Sequence, residues 1–145
     1  MKRFITLAAA IVLSLPIWAQ NNINDILHRL DDFRIKAEFS CSIDNSDMRM
    51  ECKGSALAQG KCFVVKANGT EIYCNGTSLV IVDPAGKEVY IQDATGLESY
   101  LKENMGAVSG LKFQELRYLD KTGDMSPFRF DTGKLSSDWT VTDLR

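Results

Sequence analysis

Phe33-Arg34-Ile35-Lys36-Ala37-Glu38-Phe39-Ser40-Cys41-Ser42-Ile43 decides the fold. Apolar side chains fall at every second position from Phe33 to Ile43, and Arg34, Lys36, Glu38, Ser40 and Ser42 stand between them. A period of two puts one set against a core and the other in water, which is the pattern of a half-buried strand. After the turn residues 44–47 the period resumes. Met48, Met50, Cys52, Gly54, Ala56 and Ala58 share one face of a second strand; Asp47, Arg49, Glu51, Lys53 and Ser55 share the other.

Downstream, short apolar runs alternate with turn residues. Gln59-Gly60-Lys61 leads into Cys62-Phe63-Val64-Val65, and the hairpin dipeptide Asn68-Gly69 leads into Glu71-Ile72-Tyr73-Cys74. Asn75-Gly76 precedes Leu79-Val80-Ile81-Val82, and Asp83-Pro84-Ala85-Gly86 precedes Val89-Tyr90-Ile91. Six strands joined by tight turns predict an antiparallel meander. Helical spacing appears twice. Ile23, Ile26, Leu27, Leu30 and Phe33 form a stripe over residues 22–33. Leu97, Tyr100, Leu101, Met105 and Val108 form another, with Thr95 and Glu98 at capping-box spacing and Gly106 to end it. Strands are expected again at 111–119 and 127–130, with an edge strand in the tail at 139–144. The fold class is mainly β (α+β): a curved antiparallel sheet covered by an N-terminal helix and one internal helix.

The amino terminus carries an export signal. Lys2 and Arg3 precede the apolar run 4–15, Pro16 breaks it, and Ile17-Trp18-Ala19 offers a cleavage site. The run is shorter than the roughly 20 residues that a membrane helix needs. Residues 1–19 are thus read as a signal peptide and 20–145 as one domain. Loss of Lys2 and Arg3 from the 17 basic and 19 acidic side chains leaves a net charge of −4. Such a balance offers no basic stripe to nucleic acid and no attraction to anionic lipid surfaces.

The cysteines stand at 41, 52, 62 and 74. An even count in an exported chain points to disulfides, with three connectivities open; four buried thiols are the alternative. In a meander the cheapest pairings join neighbouring strands, Cys41 with Cys52 and Cys62 with Cys74, and a slip of one residue would put partners on opposite faces. These spacings contain no CxxC, and the chain has one histidine, His28, so neither a metal site nor a cofactor is expected. No nucleophile-and-base arrangement, phosphate loop or dinucleotide fingerprint occurs, which argues against an enzyme. Two NxT sequons, at Asn68 and Asn75, coincide with turns that explain both.

The inward face of the second strand is built from methionine, cysteine, glycine and alanine. Small residues leave room and methionine lines adaptable apolar surfaces, so a groove for a greasy ligand competes with a solid core.

Several segments carry a resemblance. Leu30-Asp31-Asp32-Phe33 running into Ala37-Glu38-Phe39-Ser40, Asn75-Gly76-Thr77-Ser78-Leu79 followed by Asp83-Pro84 and Glu88-Val89, Asp93-Ala94-Thr95-Gly96, Phe128-Arg129-Phe130-Asp131 and Val141-Thr142-Asp143-Leu144-Arg145 together resemble the periplasmic outer-membrane lipoprotein carriers, the LolA-like family. The resemblance implies an incomplete β-barrel whose apolar concavity is lidded by helices. It also implies a periplasmic carrier or chaperone of lipoprotein acyl chains, acting between an inner-membrane releasing complex and an outer-membrane acceptor. The chain is shorter than the family's pattern, has no aromatic residue in Leu79-Val80-Ile81-Val82, and places Ala58-Gln59-Gly60 where the family has an arginine. The expected pocket residues are Ile35, Ala37, Phe39, Met50, Val80, Val82, Tyr100 and Leu101, and Leu101→Glu is expected to abolish ligand binding. A monomer is expected. The alternative is a non-catalytic envelope protein-interaction module that uses the concave face or a sheet edge.

Overall fold

The computed structural model describes residues 28–45, 48–95 and 108–145. Eight strands lie in one sheet: β1 (Phe33–Asn45), β2 (Met48–Gln59), β3 (Cys62–Ala67), β4 (Thr70–Cys74), β5 (Ser78–Asp83), β6 (Glu88–Asp93), β7 (Val108–Asp120) and β8 (Thr140–Asp143). Their order is β7-β1-β2-β3-β4-β5-β6-β8, so the sheet is open and β7 and β8 are its edges. The six strands β1 to β6 form the expected antiparallel meander.

The turns follow local chemistry. Asn68 and Gly69 both take positive φ, 50° and 76°, as the tight turn between β3 and β4 requires. At the next turn the Asn75 side chain closes the bend by accepting from the backbone N–H groups of Thr77 and Ser78, at 3.0 and 2.9 Å.

Four expectations need correction. The sheet is mixed, because β8 runs parallel to β6. A parallel neighbour needs a long connection; here it contains β7, and residues 121–139 are its last part, from β7 to β8. Val108, expected on a helix stripe, opens β7 and pairs with Ile43. That strand is long, reaching Asp120, with irregular register opposite Glu38–Ser42. Residues 127–130 form no strand; Ser126–Phe128 is a short 3-10 turn. Pro127 explains this, since its fixed φ and missing N–H suit the first turn of a helix and not a ladder. Of the expected N-terminal helix, His28 and Arg29 are helical and residues 30–32 turn into β1; residues 22–27 lie outside the described residues, as do 96–107 of the internal helix.

Register assigns every β1–β6 residue to one of two faces. Phe39 opposes Gly54, Ala56 opposes Val65, Val65 opposes Ile72, and Ile72 opposes Ile81. These define the Phe39 face. Leu57, Val64, Tyr73 and Val80 run across the other, the Tyr73 face.

Residues 121–139 cross the Tyr73 face as a strap from one edge of the sheet to the other. Near its start, buried Arg34 donates to the Asp124 carbonyl at 2.6 Å and to Gln59 Oε1 at 2.9 Å. Gln59 in turn donates to the Thr122 carbonyl at 2.8 Å. Phe128 then inserts beside Val64, Tyr73, Val82 and Val89, with the Arg34 guanidinium 5.1 Å from its ring centre. Phe130 packs on Tyr73 at 5.4 Å between ring centres, and Trp139 joins the same cluster. At the end Thr140 donates to the Lys87 carbonyl at 2.9 Å, which docks β8 on β6.

Candidate functional site

The Phe39 face is the candidate. Its buried members come from five strands: Ile35, Ala37, Phe39 and Cys41 on β1, Cys52 on β2, Val65 and Ala67 on β3, Ile72 and Cys74 on β4, and Leu79 and Ile81 on β5. Each exposes 6% of its surface or less. Thr70 is the one buried polar side chain on this face among the described residues; Arg34, Ser42 and Gln59 belong to the other. Phe113 of β7 extends the lining beyond Phe39.

Small residues shape its middle. Gly54, Ala56 and Ala58 follow one another along β2, facing Phe39, Ala37 and Ile35. A methyl group at Gly54 would sit 2.8 Å from Phe39 Cζ, 2.8 Å from Ala67 Cβ and 2.6 Å from the Lys66 carbonyl oxygen. The Phe39 ring therefore lies over bare backbone, an aromatic side chain covering a strand glycine.

The expected pocket residues divide. Ile35, Ala37, Phe39 and Met50 share the Phe39 face. Val80 and Val82 lie on the Tyr73 face, packed toward the strap. Tyr100 and Leu101 lie outside the described residues. Sequence reasoning placed β5 by its apolar character alone, and Leu79-Val80-Ile81-Val82 is apolar on both faces, so no alternation existed to read. The partners resolve it: Cys74 opposes Leu79 and Ile72 opposes Ile81. Met50 is half-buried, and Asn68 Nδ2 donates to its sulfur at 3.3 Å.

The four cysteines are thiols and fall into two unlike arrangements. Cys41 and Cys52 are direct partners in the β1–β2 register and are 2% and 1% exposed. A hydrogen bond from the Cys52 thiol holds Cys41 below the ordinary thiol range, while the same contact and burial push Cys52 up. Cys74 instead opposes Phe63, so Cys62 is one position out of register and joins the Tyr73-face cluster. The expected Cys62–Cys74 pairing is thus corrected: the two side chains leave opposite faces of the sheet. Burial pushes the Cys74 thiol up, although the Gly76 N–H donates to its sulfur at 3.4 Å.

Two depressions lie elsewhere. One of about 310 Å³ between strap and sheet is lined by Tyr73, Val80, Ile91, Phe128, Phe130 and Arg145. An open groove of about 460 Å³ is lined by Glu38, Lys53, Ser55, Lys66 and Gln114 beside Phe39. His28 is exposed. Among the described residues no three histidine, cysteine or carboxylate side chains gather as metal ligands. No family model matches the sequence, and no curated protein is similar to it.

Proposed function

We propose that this chain is an exported, non-catalytic carrier that shelters acyl chains of lipid or lipoprotein against the Phe39 face, in the manner of the LolA-like proteins. One observation carries the reading: an apolar lining that runs across β1 to β5, with Thr70 its one buried polar member among the described residues and small residues at its centre. Apolar burial is worth about 0.8 kcal/mol per CH₂, so a chain of about 14 carbons gains on the order of 10 kcal/mol on leaving water. That is enough to hold a lipid through an aqueous compartment. Because the lining residues are 1–6% exposed, an occupant must displace protein atoms from this face. Ala56 and Ala58, beyond the Gly54 position that Phe39 fills, are where it fits with the smallest rearrangement. In this role the chain acts in the periplasm, and its partners are an inner-membrane releasing complex and an outer-membrane acceptor.

A second reading has one observation behind it. β7 is a 13-residue strand at an edge of the sheet, and its Leu119 is exposed. A peptide partner that added a strand there would make the chain an envelope interaction module.

Native mass spectrometry of the protein purified gently from its own envelope separates the two. Bound lipid, or uptake of an added triacylated lipopeptide that is lost in Ala56→Trp, supports the carrier. A clean apo mass with no uptake refutes it.

A further inference from the structure

We propose that Cys41 and Cys52 form a cross-strand disulfide buried in the sheet, and that Cys62 and Cys74 stay reduced. The two cysteines face each other in the β1–β2 register, Ser40 opposing Lys53 and Ser42 opposing Glu51 on either side. Directly opposed residues in an antiparallel pair have Cα atoms about 4.5–5.5 Å apart, within the roughly 4.4–6.8 Å that a disulfide spans. Both side chains leave the same face, and their thiols already hydrogen bond to each other. Closure therefore asks little of the backbone. No other pair meets these conditions. Cys62 and Cys74 lie on opposite faces, and between Cys52 and Cys74 on their shared face stands the whole of β3.

The chemistry is thiol–disulfide exchange with a disulfide oxidant, small or protein-borne. The Cys41 thiolate attacks one sulfur of the oxidant and releases its other half as a thiolate, leaving a mixed disulfide. Cys52, losing its proton, then attacks the Cys41 sulfur and expels the second half. Two electrons pass to the oxidant, whose two thiolates take up the two protons. Exchanging the roles of the two cysteines gives the same bond, so the product does not depend on which attacks first. At 1–2% exposure neither sulfur meets an oxidant in the folded protein, so the bond forms before the sheet closes and is shielded from reductants afterwards. Small exported domains use such staples where core alone is marginal. The inference is independent of the carrier reading and requires only an oxidising environment.

The test refolds the denatured, reduced full chain in a mixture of oxidised and reduced glutathione. Remaining thiols are then alkylated with iodoacetamide and the protein is digested with trypsin without reduction. Cleavage after Lys36, Arg49, Lys53, Lys61, Lys66 and Lys87 leaves each cysteine in its own peptide. The expected product joins peptide 37–49 to peptide 50–53, two hydrogens lighter than their sum, with Cys62 and Cys74 both alkylated. Cys41→Ser is expected to leave all three remaining cysteines alkylated. Alkylation of all four in the parent chain overturns the proposal. So does any cross-link that includes Cys62 or Cys74, in either protein.

Discussion

Gly54→Ala is a sharp test of how the Phe39 face is packed. Its methyl group would lie 2.6 Å from the Lys66 carbonyl oxygen and 2.8 Å from both Ala67 Cβ and Phe39 Cζ. Ordinary carbon contacts begin near 3.5 Å, so three neighbours must each retreat by several tenths of an ångström. Phe39 can move only off its 1% exposed seat, and the oxygen belongs to the β3 ladder. Overpacking of this kind costs about 1–3 kcal/mol. Alanine's narrower unfolded ensemble returns about 0.4–1 kcal/mol, leaving a net loss of about 1–2 kcal/mol. In urea, with a slope of about 1–3 kcal/mol/M, the midpoint falls by roughly 0.5–1 M. Adding Phe39→Leu removes the ring contact and leaves the carbonyl contact, so the double variant should show a coupling of at least about 0.5 kcal/mol. A neutral or stabilising Gly54→Ala, with unchanged slope, would refute the idea that Phe39 rests on bare backbone.

Three further outcomes follow from the strap. Phe128→Ala, at a site 1% exposed, should destabilise by about 3–5 kcal/mol and lower Tm by roughly 10 °C in calorimetry; a loss under 1 kcal/mol would mean that the strap is not anchored there. Arg34→Met leaves the Asp124 carbonyl without its Arg34 donor and Gln59 Oε1 with the longer bond from the Thr122 N–H at 3.3 Å, so denaturant unfolding should register a loss of about 2–4 kcal/mol, and limited proteolysis should cut first within residues 121–126. Lys87 and then Ser136 hydrogen bond to Asp138 and hold its carboxyl below the usual aspartate range. A depressed folded pKa adds stability above the unfolded value and loses it as pH falls. The protection of the β8 amides, taken relative to their intrinsic exchange rates, should therefore fall below about pH 4. Asp138→Asn should abolish that pH dependence; if it persists in the variant, the Lys87–Asp138 contact does not reinforce the docking of β8.

The meander was legible because β1 and β2 alternate cleanly and because Asn68-Gly69 and Asn75-Gly76 name their own turns. Both devices act within a few residues, so one sequence suffices to read them. The disposition of β5 was not legible, since a strand apolar on both sides carries no phase; its face is inherited from Ile72 and Cys74 across the ladder. The cysteine positions were legible from the turns: spacing sets Cys41 opposite Cys52, and a two-residue turn at Asn68-Gly69 sets Phe63, not Cys62, opposite Cys74. The strap was the largest omission. Its anchors, Arg34 on the polar face of β1 and Gln59 in an expected turn, read as solvent-facing, and only contacts about 60 to 90 residues away along the chain reveal that they are covered. Pro127 was the one local clue that residues 126–130 do not continue a sheet.

The strand order also dictates a sequence of assembly. Among themselves β1 to β6 pair only with their immediate neighbours in the chain, so each hairpin closes a short loop and the meander can zip strand by strand. Its two outer strands, β1 and β6, then wait for distant segments: β7 must return to β1, and β8 must reach β6 after the strap is laid. Until that moment the meander has two unpaired borders and a bare Tyr73 face. A chain cut short near residue 120 thus has most of its hydrogen-bonded ladder and one border still adhesive, which is the state that stray strands join most readily. The last 25 residues guard this protein against its own kind until the sheet is finished.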